Sequence, residues 1–381
     1  MTELKGEKFK LNFAGKLIAA AMAFFASISA TFPALAARNE KIFTSNVMNR
    51  LPVDVMDTGG TLIFSDSPEY VHRNGILYTD TVNGDARILF YHLNDTGVRK
   101  KLAIIVENTA FEENKIEITR GGFSAPGKNF MSVGKATQLM YMENNFHDTL
   151  KLKGKERKLF QAEMNSVVID PGHLVYGVYD FNSTKPVKVF VLMYPQHADP
   201  LEFLNIAEIL PKDSQKLRGT FKRMNRTLRL KKDYDPDVDG IGYVLICDNA
   251  TDFFKHGIDA TDGSEVINYG NYGINYTLDF RTKSKTRFCL SPLGGLYAGA
   301  VRFIHGEDSG MIATPEDRIY FGDKTPKEPP HVQKAREEGI SIFTNQTEVS
   351  ELGSYSGKVS FEYSPPGASN LPVNIVLMPE K

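Results

Sequence analysis

From residue 58 onward the apolar residues come in short runs, each broken within a few positions by Gly, Pro, Asn or Asp, and this punctuation restricts the chain to β structure. Residues 76–78, 86–91, 102–106 and 116–118 read as the first strands. Asn83-Gly84, two residues that tolerate positive φ, predicts a hairpin turn between the first two of them. Residues 167–169, 174–179 and 187–193 follow as later strands. Two stretches change period: residues 130–144 carry Phe130, Val133, Ala136, Leu139 and Met140 at helical spacing, and residues 201–210 repeat the pattern with Leu201, Leu204, Ile206 and Leu210. A third helical stretch, residues 332–338, is short and polar.

An internal similarity organises the chain. A Gly-led run at residues 177–181 precedes a polar turn and the Pro-led run 186–193; near the C-terminus, residues 357–361 precede a polar turn and the Pro-led run 372–378. Proline at the start of each second run suits a strand that begins at an edge and continues into a buried centre. The expected fold is therefore all-β: two tandem antiparallel β-sandwich-like domains with a few short helices, at residues 58–210 and 211–381, after a polar lead-in at 37–57.

The first 36 residues follow secretory logic. Lys5, Lys8, Lys10 and Lys16 make a positive start, residues 17–30 are apolar, and Ala34-Leu35-Ala36 offers small residues for cleavage. That apolar run falls short of the roughly 20 residues a hydrocarbon span needs, and no later window approaches that length. The expected product is secreted or extracytoplasmic after cleavage near Ala36, at the cell surface or in the periplasm, with no transmembrane segment in the mature chain. An apolar fraction of 41% excludes wholesale disorder, and a formal net charge of −1 gives no electrostatic footprint for nucleic acid.

Several chemistries find no support. The eight histidines are scattered without HxH or HExxH spacing. Residues 122–129 match GxxxxGK but carry Asn129 where a phosphate loop needs Ser or Thr for magnesium, so they read as a turn leading into a helix. Residues 353–357 place Tyr355 where a nucleophile elbow needs Ser. No carboxylate pair stands out by spacing, and catalytic residues are not assigned. Cys247 and Cys289, the two cysteines, would pair in an oxidising compartment if neighbouring strands brought them together, or remain as buried thiols; the sequence leaves both open.

Two constellations point to binding. Asp235, Asp237 and Asp239 alternate along the chain with Gly240 after the last, a spacing suited to calcium's preference for several oxygens on a tight loop. Ile246 stands where a bidentate Glu would complete the helix-loop-helix version. Tyr269, Tyr272 and Tyr276 alternate with Asn and Gly, so exposed rings there would stack on a sugar, although the chain lacks Trp, the largest such platform.

Residues 88–97 (ILFYHLNDTG), 270–273 (GNYG) and 365–372 (PPGASNLP) resemble strings in uncharacterised secreted proteins of Gram-positive-lineage bacteria, some of which carry a copper-amine-oxidase-like N-terminal stalk domain. The stalk segment is absent from this sequence, so the resemblance implies neither copper nor amine oxidation. What it implies is a cell-envelope or secreted protein. The expected function is a non-enzymatic envelope or surface module that binds cell-wall glycan or envelope proteins. A polysaccharide-acting hydrolase of the wall and a calcium-stabilised adhesion module are the alternatives; calcium is the one cofactor the sequence offers.

Overall fold

Short apolar runs, some alternating with polar residues and others continuous, recur along the chain, and in the computed structural model those segments are strands. The structure describes residues 47–322, 330–344 and 347–380; the expected leader at 1–36 and the first part of the lead-in lie outside the described residues. The first half comprises β1 (Met48–Arg50), β2 (Val53–Thr58), β3 (Thr61–Ser65), β4 (Tyr70–Val71), β5 (Gly75–Asn94), β6 (Lys100–Asn108), β7 (Asn114–Phe123), helix α1 (Phe130–Glu143), β8 (Asp148–Leu152), β9 (Arg157–Leu159), β10 (Leu174–Pro195) and α2 (Pro200–Leu204). The second comprises β11 (Arg218–Lys222), β12 (Asn225–Leu230), α3 (Pro236–Asp239), β13 (Ile241–Ile246), β14 (Lys255–Asp259), β15 (Ser264–Asn268), β16 (Asn275–Pro292), β17 (Gly299–His305), β18 (Asp308–Thr314), α4 (Pro330–Glu337), β19 (Ser350–Tyr363) and β20 (Val373–Pro379).

The fold is all-β and sandwich-like. One sheet runs β1-β13-β20-β16-β19-β17-β18, with β12 and β2 attached at β16; the other runs β15-β14-β11-β3-β5-β10-β6-β9, with β4, β7 and β8 joined along it. The sheets are mixed rather than antiparallel throughout, since β1 runs parallel to β13, β12 to β16, and β3 and β4 to β5. Residues 48–57, expected as lead-in, supply β1 and all but the last residue of β2. Residue 210 is not a sheet boundary, because β11 pairs with β3 while β12 pairs with β2. The β2–β3 segment passes between the sheets at Gly59-Gly60, and β11–β12 passes back at Arg223-Met224. At Gly60 a Cβ would stand 1.8 Å from the Asp85 carbonyl oxygen, so only glycine fits this crossing. Residues 48–381 form one compact unit.

Asn83-Gly84 is not a hairpin turn. β5 runs on through it, paired with β10 on both sides: Gly84 faces Ser183, then Val82 faces Val187, and residues 184–186 bulge from β10. Gly84, at φ +73°, supplies the positive φ that the bend needs without reversing the chain. The two similar segments likewise differ in structure. Residues 177–181 and 187–193 both belong to β10, whereas 357–361 and 373–378 lie on β19 and β20, with β16 between them.

Along β10 the period of two is kept across the bulge. Val175, Tyr179, Phe181, Val187, Val189, Val191 and Met193 share one apolar core inside the bent sheet. On the opposite face, Leu174, Tyr176 and Val178 join the core shared by both sheets and α1, and Phe190, Leu192 and Tyr194 pack with Leu204 of α2. Asn129 caps α1 by accepting from Ser132 N at 3.1 Å, as a turn leading into a helix should.

Candidate functional site

Where β3 ends, residues 66–69 cross toward β4 and carry two carboxylates into the protein. Asp66 Oδ1 is buried with no hydrogen-bond partner, and among the described residues neither the Asp66 nor the Glu69 carboxylate has a hydrogen-bonding or ion-pairing group. Burial pushes the Asp66 pKa well above the usual carboxylate range, with the Glu69 and Asp213 charges adding to it. Glu69 is raised to about 7 by burial and then by Asp213. Burial thus disfavours the charged form of both carboxyls.

The surrounding groups are tied down. Asp213 accepts from the Ser67 hydroxyl at 2.9 Å, from Glu69 N at 2.8 Å, and from the backbone of Gln215 and Lys216. His92, fully buried, faces Ser65 Oγ through Nε2 and the Pro68 carbonyl through Nδ1, each at 2.9 Å. Burial holds its pKa down at about 4, which leaves Nδ1–H donating to the carbonyl and Nε2 accepting from the serine. Arg218 is spent on Asp259 at 2.9 Å and on the carbonyls of Ser67, Leu77 and Leu210.

Tyrosines complete the wall. Tyr91, half-buried on β5, feels the charges of Glu69 and Asp66 and, among the described residues, its hydroxyl has no partner. Its ring meets Tyr176 edge-on at 5.7 Å. Tyr272 reaches in from the β15–β16 loop, held by its hydroxyl donating to the Ser369 carbonyl at 2.7 Å, and it too is coupled to Asp66 and Glu69. Tyr70 and Pro68 open onto an adjoining cleft of about 600 Å³, whose far side includes His72, Asp95 and Lys212.

Elsewhere in the interior, the buried arginines are paired. Arg87 forms a fork on Asp180 at 2.6 and 2.8 Å and donates to the carbonyls of Met224 and Gly273; Arg120 pairs with Glu362. Arg226 is held by Asp57 and Asp252, with Lys255 also on Asp57 at 2.7 Å. These networks use up their donors and acceptors by joining the sheets. Asp66 and Glu69 differ from them in having nothing to bind.

The residues singled out from sequence fare unevenly. Tyr276 is buried, its hydroxyl donating to Asp252 at 2.8 Å and accepting from Asn271 at 2.9 Å, so it offers no ring to a sugar. Tyr269 is 37% exposed and packs edge-on against Phe254; only Tyr272 reaches the carboxylate cluster. Asp235 caps α3 through Asp237 N and pairs with Lys283 at 3.2 Å, while Asp239 holds Lys232 at 2.8 Å and Asp235 N at 2.9 Å. Asp237 points to solvent, and among the described residues no three or more His, Cys, Asp or Glu side chains are grouped to hold a metal. Cys247 and Cys289 are free thiols, not a disulfide: Cys247 packs in the inter-sheet core beside the Tyr276 hydroxyl at 3.5 Å, and Cys289 packs in a separate cluster with Met48, Val376 and Met378.

Sequence reasoning missed Asp66, Glu69 and Tyr91. The available signal was two acids flanking Ser67-Pro68 directly after an apolar strand, and a Tyr-His pair inside a run that is otherwise apolar. No family model and no curated protein matches the chain. Among solved structures, the CUB1-EGF-CUB2 domain of human MASP-1/3 aligns with 80% of this chain and 97% of that one, at 9% identity and a TM-score of 0.16. That likeness is too slight to bear on fold or function. Among the described residues no helix is long and apolar enough to cross a membrane.

Proposed function

We propose that the protein is a non-enzymatic binding module of the cell envelope, and that its ligand is wall glycan seated at Asp66, Glu69, Tyr91 and Tyr272. The observation that carries this reading is the Asp66 Oδ1 atom, buried without a hydrogen-bond partner, with the nearby Glu69 carboxylate also unpartnered among the described residues. Leaving the buried Asp66 Oδ1 acceptor unsatisfied costs about 1–3 kcal/mol, which a ligand with hydroxyl or other donors would offset on binding. Tyr91 adds an aromatic ring and an unpartnered hydroxyl near the carboxylates, the kind of amphipathic contact a sugar can use. Extracytoplasmic placement rests on the leader-like first 36 residues.

Hydrolysis of a wall polysaccharide is the second reading, favoured by one observation: two carboxyls lie near each other and burial raises Glu69 to about 7, as a general acid requires. One experiment separates the two. Purified protein is incubated with isolated cell-wall fractions while retention and release of reducing sugar are followed together. Retention without release supports the binding module, release supports the hydrolase, and neither retention nor release rejects both.

A further inference from the structure

We infer that the surface formed where the β6–β7 turn, the β8–β9 turn and the β10 bulge meet docks on an anionic lipid bilayer, with Phe111 as its apolar anchor and Lys151, Lys153 and Lys155 as its lipid-facing charges. It shares no residue with the Asp66–Glu69 site and does not depend on the glycan reading. The three segments are laced together. Asn108 Nδ2 donates to the carbonyls of Glu112 and Lys153 at 2.7 and 2.9 Å, and Lys155 N donates to the Ala110 carbonyl at 3.1 Å. The Thr109 hydroxyl donates to the Pro186 carbonyl at 3.0 Å, and Asn114 Oδ1 accepts from Lys185 N at 3.0 Å. Gly154 lies so close to the Phe111 backbone that a Cβ would stand 1.9 Å from the Phe111 carbonyl oxygen. The tip is a fixed platform.

On this platform Phe111 is 83% exposed, more than any other large apolar side chain among the described residues. The Lys155 ammonium sits 4.4 Å from its ring centre and donates to the Thr109 carbonyl, so no acid holds it. Residues 151–158, KLKGKERK, set five basic side chains against one acid. Lys151 stands directly across the β7–β8 ladder from Lys115, a like-charge pairing that costs stability and that a negative surface would relieve. Lys115, Arg157, Lys158 and Lys185 are paired with Glu117, Glu107, Glu156 and Glu112. Among the described residues the Lys151 and Lys153 ammonium groups have no hydrogen-bonding or ion-pairing partner, and Glu113 is the one acid of these turns without a cation. Unpaired charge at the tip is therefore mainly positive. Basic side chains alone would suit any polyanion. A phenyl ring held out in water beside them suits a bilayer, because the ring can enter the acyl boundary while the lysine heads stay among the phosphates.

The test uses Phe111→Trp, which gives the chain its one tryptophan, so that the tip reports on itself whatever the rest of the protein does. Emission of this variant is followed at neutral pH during titration with vesicles of phosphatidylcholine alone, with vesicles of equal parts phosphatidylglycerol and phosphatidylcholine, and with soluble dextran sulfate. The inference expects a blue shift with the anionic vesicles only, weakening as salt rises from about 0.05 to about 0.5 M. Adding Lys151→Gln, Lys153→Gln and Lys155→Gln should weaken partitioning about 100-fold. These side chains are exposed, so an unchanged melting temperature shows that lost partitioning is not lost folding. No shift with the anionic vesicles overturns the inference. An equal shift on neutral vesicles, or partitioning indifferent to the three lysine changes, overturns it too. A shift with dextran sulfate and none with vesicles assigns the surface to a soluble polyanion and overturns bilayer docking.

Discussion

Replacing Glu69 with glutamine keeps the side chain's shape and deletes its charge. Burial first, and the Asp213 carboxylate second, raise the Glu69 pKa from 4.5 to about 7. A folded carboxyl that holds its proton more tightly than the unfolded chain gives stability that is complete below the unfolded value of 4.5 and is lost as pH rises through about 7. At 1.36 kcal/mol per pH unit, that gap amounts to about 3 kcal/mol. The groups facing Glu69 are Asp66, Asp213, Tyr70, Tyr91 and Tyr272, and none of them is cationic. Glu69→Gln should therefore match the unsubstituted protein at about pH 4 and exceed its stability by up to about 3 kcal/mol at about pH 8. With an unfolding entropy of roughly 0.7 kcal/mol/K for a chain of this size, the melting temperature should rise by about 4 °C at the higher pH. Scanning calorimetry of both proteins across this range is the assay. A difference independent of pH, or a variant less stable at pH 8, would show that Glu69 has a partner or is solvated, and the site as described would fall.

Arg87→Met should cost about 3 kcal/mol in chemical denaturation, because it leaves the part-buried Asp180 carboxylate with the Tyr141 hydroxyl but no cation and frees the carbonyls of Met224 and Gly273; a loss under 1 kcal/mol would mean the cross-sheet network is dispensable. Gly60→Ala should destabilise by about 2–3 kcal/mol or abolish folding, since its Cβ would meet the Asp85 backbone. Gly84→Ala, with open space around it, should lose only about 1 kcal/mol through its positive φ; equal effects at both glycines would refute the crossing. Both thiols should resist a thiol reagent in the native state and react after unfolding without reductant, because burial holds Cys247 well above its usual pKa and Cys289 up at about 11. Zero reactive thiols after unfolding would reveal a disulfide instead.

How far the sequence could be read depended on whether a property was local. Strand character in residues 86–91, 102–106 and 187–193 follows from short apolar runs bounded by turn residues and is realised in β5, β6 and β10. Helix α1 follows from its period and the Asn129 cap, yet its buried face is Met131, Val133, Gly134, Thr137, Gln138, Tyr141 and Met142, with Met140 exposed. The contact that turns the helix this way is remote: a Cβ on Gly134 would come within 2.0 Å of the Gly367 carbonyl oxygen, and Gln138 donates to the Ser364 carbonyl. Residues 201–210 have helical period but give one turn, because Ile76 and Leu210 pair backbone to backbone and draw the following chain out as an extended segment. Asn83-Gly84 has the composition of a hairpin turn, and only the long partner strand β10 decides that the chain bends instead of reversing.

The site was hidden for the same reason. Its parts come from the β3–β4 crossing, the C-terminal end of β5 and the β15–β16 loop, which are brought together by sheet topology. Tyr272 was picked out for its Gly-rich setting, and that setting does matter, since Gly270, Asn271 and Gly273 all take positive φ. The neighbouring Tyr276 differs because the strand that follows turns it inward onto Asp252. Acidic alternation at Asp235, Asp237 and Asp239 suggested a cage, but a proline at 236 starts a helical turn, and capping and lysine pairing take the oxygens.

The central claim is that Asp66 and Glu69 exist to hold a ligand, and co-sedimentation with insoluble cell-wall glycan at about pH 7 tests it most directly. The account predicts that the protein pellets with the glycan and that the Asp66→Asn/Glu69→Gln double variant, folded and at least as heat-stable, stays in the supernatant. Equal pelleting of the two would contradict it.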